Sequence, residues 1–259
     1  MVVGYNEEKL LPACLSSLLF CDEIFYTDLG SSDTSIEVAS TFTDKILVRK
    51  KVPAVEFIQT EVVKYLKNDW VLFIDPDEVI DKILAQQVMN NFLIWTADDN
   101  IGAIEVPWQF YFKKYKLKGT VWGGINRKFL LVNKNRFEFK PIAHYGRTVL
   151  PDYQTIQIAF DGGSNILHHF WMNSWFNFFN KHFRYLKKEG LDQYNQGVRF
   201  AGYTNLLKTP YTEFRKSFFL CNGYRDGVIG FFLSVFWAIY QTKIKLSLLK
   251  ISIYSDHSK

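Results

Sequence analysis

The chain has 259 residues, of which 48% are hydrophobic and 17% aromatic, enough for one large domain or two small ones with a substantial core. A net charge of +5 and a pI near 8.9 suit phosphate ligands or an anionic membrane surface, and are too weak to argue for nucleic acid. Cys14, Cys21 and Cys221 are odd in number and have no ligand spacing, which argues against a disulfide framework and makes a reducing cytoplasm the default. Met1 leads directly into a β run, so no signal peptide is expected. Val2-Val3-Gly4 then breaks into Tyr5-Asn6-Glu7-Glu8, and Leu10, Leu11, Cys14, Leu15, Leu18 and Leu19 repeat at helical spacing. A second strand, Asp22 to Asp28, ends in Gly30-Ser31-Ser32-Asp33-Thr34-Ser35, a turn with N-cap residues. A helix through Ile36, Val38, Ala39 and Phe42, a strand at Lys45–Val48 and a helix from Phe57 to Leu66 follow. The alternation predicts an α/β fold with a mostly parallel central sheet flanked by helices.

The next strand, Trp70 to Ile74, runs into Asp75-Pro76-Asp77-Glu78, three carboxylates within four residues. Such crowding is costly unless a cation or a donor-rich ligand sits among them. Oxygen ligands at a strand end suit a hard divalent ion that also holds phosphates, although Asp-Pro-Asp is also ordinary turn chemistry. Ligands of α/β sheets collect beyond the carboxyl ends of the strands. Three such ends here are polar: Tyr5-Asn6-Glu7, Asp28 to Asp33, and Asp75 to Glu78. Asp28 could accept from a nucleobase N–H, and Gly30 allows close approach, whereas Asp33 and Thr34 read as helix caps. Glu78 also reads as the cap of a following helix.

These three segments, in this order and spacing, resemble the family-2 glycosyltransferases of the GT-A fold, and within them the bacterial lipopolysaccharide-core glucosyltransferase group. The resemblance implies that the first two segments hold the nucleotide and that Asp75-Pro76-Asp77 is the D-x-D motif. Asp75 would then meet the ribose or metal, and Asp77 the Mg²⁺ or Mn²⁺ bridging the diphosphate. Gly4 stands where the family often has a Thr. Further along, Trp122 to Val132 resembles the family's sugar and acceptor floor, with Arg127 a candidate phosphate or acceptor contact. Where the family tends to show a His-Glu pair, this chain has His144-Tyr145. A Tyr of pKa about 10 is a poor base, which leaves His144 as the candidate, with Glu138 and Asp152 as further possibilities.

Ile166-Leu167-His168-His169-Phe170 ends in two histidines that must face opposite ways on a strand. Motif register favours His168 as the residue completing the metal site. The helix from Ser174 resembles the family's Lys-His-x-Arg-Tyr helix, with Lys181 and Arg184 sharing a face that could steady the diphosphate. Asn222 to Phe231 matches the family's Gly…Asp-Gly…Gly-Phe signature, and no charged residue occurs from Gly227 to Thr242. Flanked by lysines, that run suggests a helix lying in the membrane interface, with a buried closing helix or a homodimer contact as alternatives.

The expected organisation is therefore a GT-A domain over 1–205, with a nucleotide-binding half (1–100) and an acceptor and metal-completing half (101–205). An apolar helical extension over 206–259 would associate with membrane or dimerise. The expected function is an inverting, metal-dependent transfer of a hexose from a nucleotide diphosphate sugar to a hydroxyl of a glycan or glycolipid acceptor, in the cytoplasm at the inner face of the membrane. A nucleotide-binding scaffold and a nucleotidyltransferase are the alternatives.

Overall fold

The computed structural model describes residues 1–52, 55–140 and 146–256. In chain order the elements are β1 (Val2–Gly4), α1 (Leu11–Ser16), β2 (Tyr26–Asp28), α2 (Ser35–Ser40), β3 (Ile46–Val48), α3 (Val55–Val62), β4 (Trp70–Leu72), β5 (Glu78–Ile80) and α4 (Lys82–Ala97). The long strand β6 (Ile101–Phe112) follows, then β7 (Tyr115–Lys116), β8 (Ile125–Asn133), β9 (Phe137–Phe139), β10 (Arg147–Val149), β11 (Gln154–Gln157) and β12 (Leu167–Met172). Three helices close the chain: α5 (Trp175–Asn195), α6 (Tyr203–Arg215) and α7 (Gly227–Asp256).

The chain packs into two units, 1–108 with 126–169, and 109–125 with 170–259. The division expected at 205/206 thus falls inside the second unit. In the first unit β1, β2 and β3 pair in parallel, Val2 opposite Tyr26 and Tyr26 opposite Ile46. A parallel bridge between Val2 and Ile74 carries this order to the segment after β4. The second half of the sheet, in the order β4-β8-β6-β12-β5, is mixed: β4 runs antiparallel to β8 and β5 antiparallel to β12, while β11 joins β6 in parallel. The α/β architecture is as expected, but the parallel pairing is concentrated in the nucleotide-side strands.

Two cores follow from this layering. Val2, Leu11, Leu15, Tyr26, Ile74, Leu84, Ile104 and Leu167 pack on one side; Val3, Ile58, Val62, Phe73, Val132 and Phe137 form the other. Alternation explains the split, since Val2 and Val3, or Phe73 and Ile74, must face opposite ways. Gly4 has a local reason. A Cβ there would lie 2.6 Å from the Tyr26 hydroxyl and 3.3 Å from the Pro76 ring. Tyr26 is fully buried, so a larger residue at that position would force its ring to shift within the core.

The second unit is built on α5, α6 and α7. Ser174 caps α5 by accepting from the Asn177 N–H at 3.1 Å. Leu233, Phe236, Tyr240, Ile244 and Leu248 form the buried stripe of α7. The Gly…Asp-Gly…Gly-Phe signature proves to be a clasp. Buried Asp226 accepts from the backbone N–H groups of Lys118 and Gly119 at 2.8 and 2.7 Å. Gly227 takes φ +56°, and a Cβ at Gly230 would meet the Gly223 carbonyl at 1.9 Å.

Candidate active site

The loops after β1 and β2 are stitched together. Asn6, in the left-handed region at φ +57°, accepts from Ser32 N at 2.8 Å through its side-chain oxygen, and its own N–H donates to Ser31 Oγ at 2.9 Å. Glu7 N donates to Ser35 Oγ, Glu8 N donates to Asp33 Oδ2, and Glu8 accepts from Thr34. Asn6 thus locks the two turns, and the Glu7 backbone helps; neither is presented by these bonds as a ligand contact. Asp28 is fully buried. Its carboxylate accepts from Gly30 N, Ser31 N, Ser31 Oγ and the Tyr26 hydroxyl at 2.9, 2.7, 2.6 and 3.3 Å. Where the sequence led to the expectation that Asp28 meets a base, both of its oxygens serve the turn in this structure.

Beside this turn lies an open cleft of about 620 Å³ lined by Tyr5, Leu29, Gly30, Val48, Arg49, Lys50 and Lys51. Lys51 Nζ sits 3.3 Å from the centre of the Tyr5 ring, a cation–π contact. Arg49 is held by Glu61 at 2.8 Å. Tyr5 and Gly30, both expected along a nucleotide, line this cleft. The three consecutive cations after β3 were not foreseen, although Arg49-Lys50-Lys51 at a strand's carboxyl end was readable as a site for phosphate or other anions.

The D-x-D motif adjoins this edge through the Val2–Ile74 bridge and the Gly4–Pro76 approach. The cation among its carboxylates is Lys128. Lys128 Nζ lies 2.8 Å from Asp75 Oδ2 and closer still to Glu78 Oε2. Glu78, fully buried, also accepts from Asp75 N at 2.8 Å. The expected helix cap is therefore not Glu78 but Asp81, which accepts from Ile83 N at 2.9 Å. Glu78 belongs to β5 instead, its side chain turned inward. Burial by itself would raise the Asp75 carboxyl, but Lys128 first and then Arg147 hold it well below the usual carboxylate range. Burial pushes Glu78 up, against the pull of Lys128. Burial would lower Lys128, and the two carboxylates reverse this and raise it.

His169 pairs in register with Glu78 and places Nε2 3.2 Å from Asp77 Oδ2. The indole of Trp108 stacks on its ring at 4.8 Å and 8°, and Lys128 lies 5.3 Å from the same indole. His168 points the other way, to Asp81 at 3.4 Å. The histidine that meets Asp77 is thus His169, where motif register favours His168. The same alternation separates Arg127 from Lys128. Arg127, read from the sequence as a phosphate or acceptor contact, donates to the carbonyl of Ile158. Lys181 stands on α5 in the second unit, partly exposed. His144 and Tyr145 lie outside the described residues. Of the other base candidates, Glu138 pairs with Lys140 at 2.8 Å, and Asp152 is exposed.

The donor set fits a divalent ion. Two ligands on adjacent corners of an octahedron at about 2.1 Å are about 3 Å apart, close to the Asp77–His169 separation. Among the described residues no group of three His, Cys, Asp or Glu is arranged as a metal cage. Magnesium needs none, since it binds through one or two carboxylates plus substrate phosphates and water.

What this edge of the sheet offers, then, is a place for an anionic donor: cations beside an aromatic ring, and an acidic pair with a histidine next to them. The sequence model of glycosyl transferase family 2 matches residues 1–201, and the chain belongs to that family. It is a glycosyltransferase, which decides against the nucleotidyltransferase alternative. It is 24% identical over 264 residues to an uncharacterized glycosyltransferase of Rickettsia typhi, covering 98% of this chain and 87% of the relative. Among solved structures it is similar to residues 1–349 of S. aureus TarS (20% identity, TM-score 0.32, 43% of this chain and 34% of that one). It is also similar to glucosyl-3-phosphoglycerate synthase from Mycobacterium tuberculosis in complex with Mg²⁺ and uridine diphosphate (17% identity, TM-score 0.33, 43% and 42%). The chain thus spans well under half the length of these two solved proteins.

Proposed function

We propose that the protein is an inverting, Mg²⁺- or Mn²⁺-dependent hexosyltransferase that takes its sugar from a UDP-sugar. The acceptor is a hydroxyl of a surface-glycan or lipopolysaccharide-type molecule, met at the inner face of the cytoplasmic membrane. The observation that carries this reading is the Asp77–His169 pair at 3.2 Å, beside an Asp75 already held by Lys128. Asp77 and His169 would hold the ion, which when bound screens the charge of the diphosphate leaving group. Lys128 keeps Asp75 ionised and oriented to accept from a ribose hydroxyl. Tyr5 offers its ring as a platform along the donor, and Lys50 and Lys51 add positive charge to the cleft that takes the anionic nucleotide. The acceptor hydroxyl attacks the anomeric carbon from the face opposite the diphosphate and loses its proton to a base, for which His144 is proposed.

Release of UDP from UDP-glucose in the presence of Mn²⁺ tests the scheme. Asp77→Ala should lower turnover by about a hundredfold or more, the scale expected when charge stabilisation of a leaving group is lost. If His144→Ala retains full turnover, the base lies elsewhere; if Asp77→Ala does, the site itself is misassigned.

A further inference from the structure

We infer that the second unit docks on an anionic lipid bilayer through an aromatic face made jointly by α5, the turn before α7 and the first turns of α7. This deepens, and rests on, the proposal of a transferase working at a membrane surface. Phe183, Phe179, Phe232, Phe231, Phe219 and Tyr224 are all exposed, and through Trp175 and Phe218 successive ring centroids are no more than 6.4 Å apart. Leu220 and Val228 are 61% and 72% exposed in the same stretch. A contiguous apolar face of this kind on a soluble domain marks an interaction site. The middle of α7, by contrast, turns Leu233, Phe236 and Tyr240 into the unit's own core. Although 223–253 is long and apolar enough to cross a membrane by length and composition, the packing turns a stripe of it inward, while Val228, Phe231 and Phe232 at its amino-terminal end, and Ile239 and Ile253 further along, stay exposed.

Charge identifies the occupant. The second unit carries 17 Lys and Arg against 5 Asp and Glu, while the first carries 14 against 21. Three of the five acids are turned to internal donors: Glu189 to the Tyr240 hydroxyl, Glu213 to the Trp237 N–H and Asp226 to backbone N–H groups. Arg184, Lys216 and Arg225 are exposed next to residues of the aromatic face. Exposed rings beside surplus cations match the acyl boundary and headgroups of an anionic leaflet, where each cation near the surface adds to binding.

Cosedimentation of the full chain with phosphatidylcholine vesicles, with and without phosphatidylglycerol, tests this. The protein should bind the anionic vesicles, bind neutral ones much less, and lose affinity with added salt. The Leu220→Asp/Val228→Asp variant should bind roughly tenfold or more weakly, with an unchanged thermal midpoint and unchanged UDP titration. Equal binding of variant and parent, or no preference for the anionic vesicles, overturns the inference. So does a variant that stays on vesicles but changes from dimer to monomer, which would assign the face to a second copy. Failure of the parent to bind UDP would count against the transferase reading alone, and leaves the vesicle result to be judged separately.

Discussion

Lys128 is the residue on which the acidic cluster depends. It sits among Asp75, Glu78 and the Trp108 ring with 8% of its surface exposed, and Glu78 has none. Glu78 Oε1 has no other partner among the described residues. Removing one member of a buried ion pair leaves an uncompensated charge and typically costs about 3–5 kcal/mol. Lys128→Met should therefore lower stability by about that amount in urea unfolding, and adding Glu78→Met should restore a good part of it. A loss below about 1 kcal/mol for the single change would show that the pair is not buried as described. Sequence alone drew attention to Asp75 and Asp77 because repelling carboxylates stand out. It singled out Arg127 and passed over Lys128, and it favoured His168 over His169. On a strand one neighbour must turn inward, and only the pairing register says which. Asp28 shows the opposite limit. Its position at a strand end was legible, but its use by its own turn was not.

At the scale of elements, the strands and helices from β1 to β4 were readable from alternation and helical spacing, and the helix read from Ser174 is α5. The mixed second half of the sheet was less so: of its strands after β4 the stretches of β8 and β12 were singled out in the sequence, and no pairing partner could be read for either. The clasp at Asp226 was seen only as a motif, since its partners lie more than a hundred residues earlier. The α5 helix also carries a buried histidine. His182 sits among Trp122, Trp171, Phe178, Phe236 and Tyr240, and its Nδ1–H donates to the Phe178 carbonyl at 2.7 Å. Burial lowers its pKa to about 4. An unfolded histidine titrates near 6.5, so the unfolded chain takes up this proton first as pH falls. The stability contributed by neutral His182 is whole above about pH 6.5 and is lost progressively down to about pH 4, at up to about 1.4 kcal/mol per pH unit. Thermal midpoints measured across that range should fall for the parent and fall less steeply for His182→Gln. Parallel curves would place the acid sensitivity elsewhere.

For the whole molecule, the mild net charge conceals an uneven distribution between an acidic unit and a strongly basic one. Composition suggested phosphate or membrane as partners; the fold allots the cations to separate tasks. Arg49, Lys50 and Lys51 line the cleft, Lys128 is internal to the acidic cluster, and the surplus lies on the helical unit. The uncharged run from Gly227 to Thr242 was visible in the sequence, but not which of its faces is buried, because that is set by packing against α5 and α6. The central claim concerns one edge of the first unit, where Asp77 and His169 are proposed to hold a divalent ion for a nucleotide diphosphate. Calorimetric titration of UDP with and without Mn²⁺ tests it most directly, on the parent and on the His169→Ala and His168→Ala variants. The account predicts that Mn²⁺ tightens UDP binding, that His169→Ala removes most of that gain, and that His168→Ala keeps it. UDP binding indifferent to Mn²⁺, or a loss confined to His168→Ala, would contradict it.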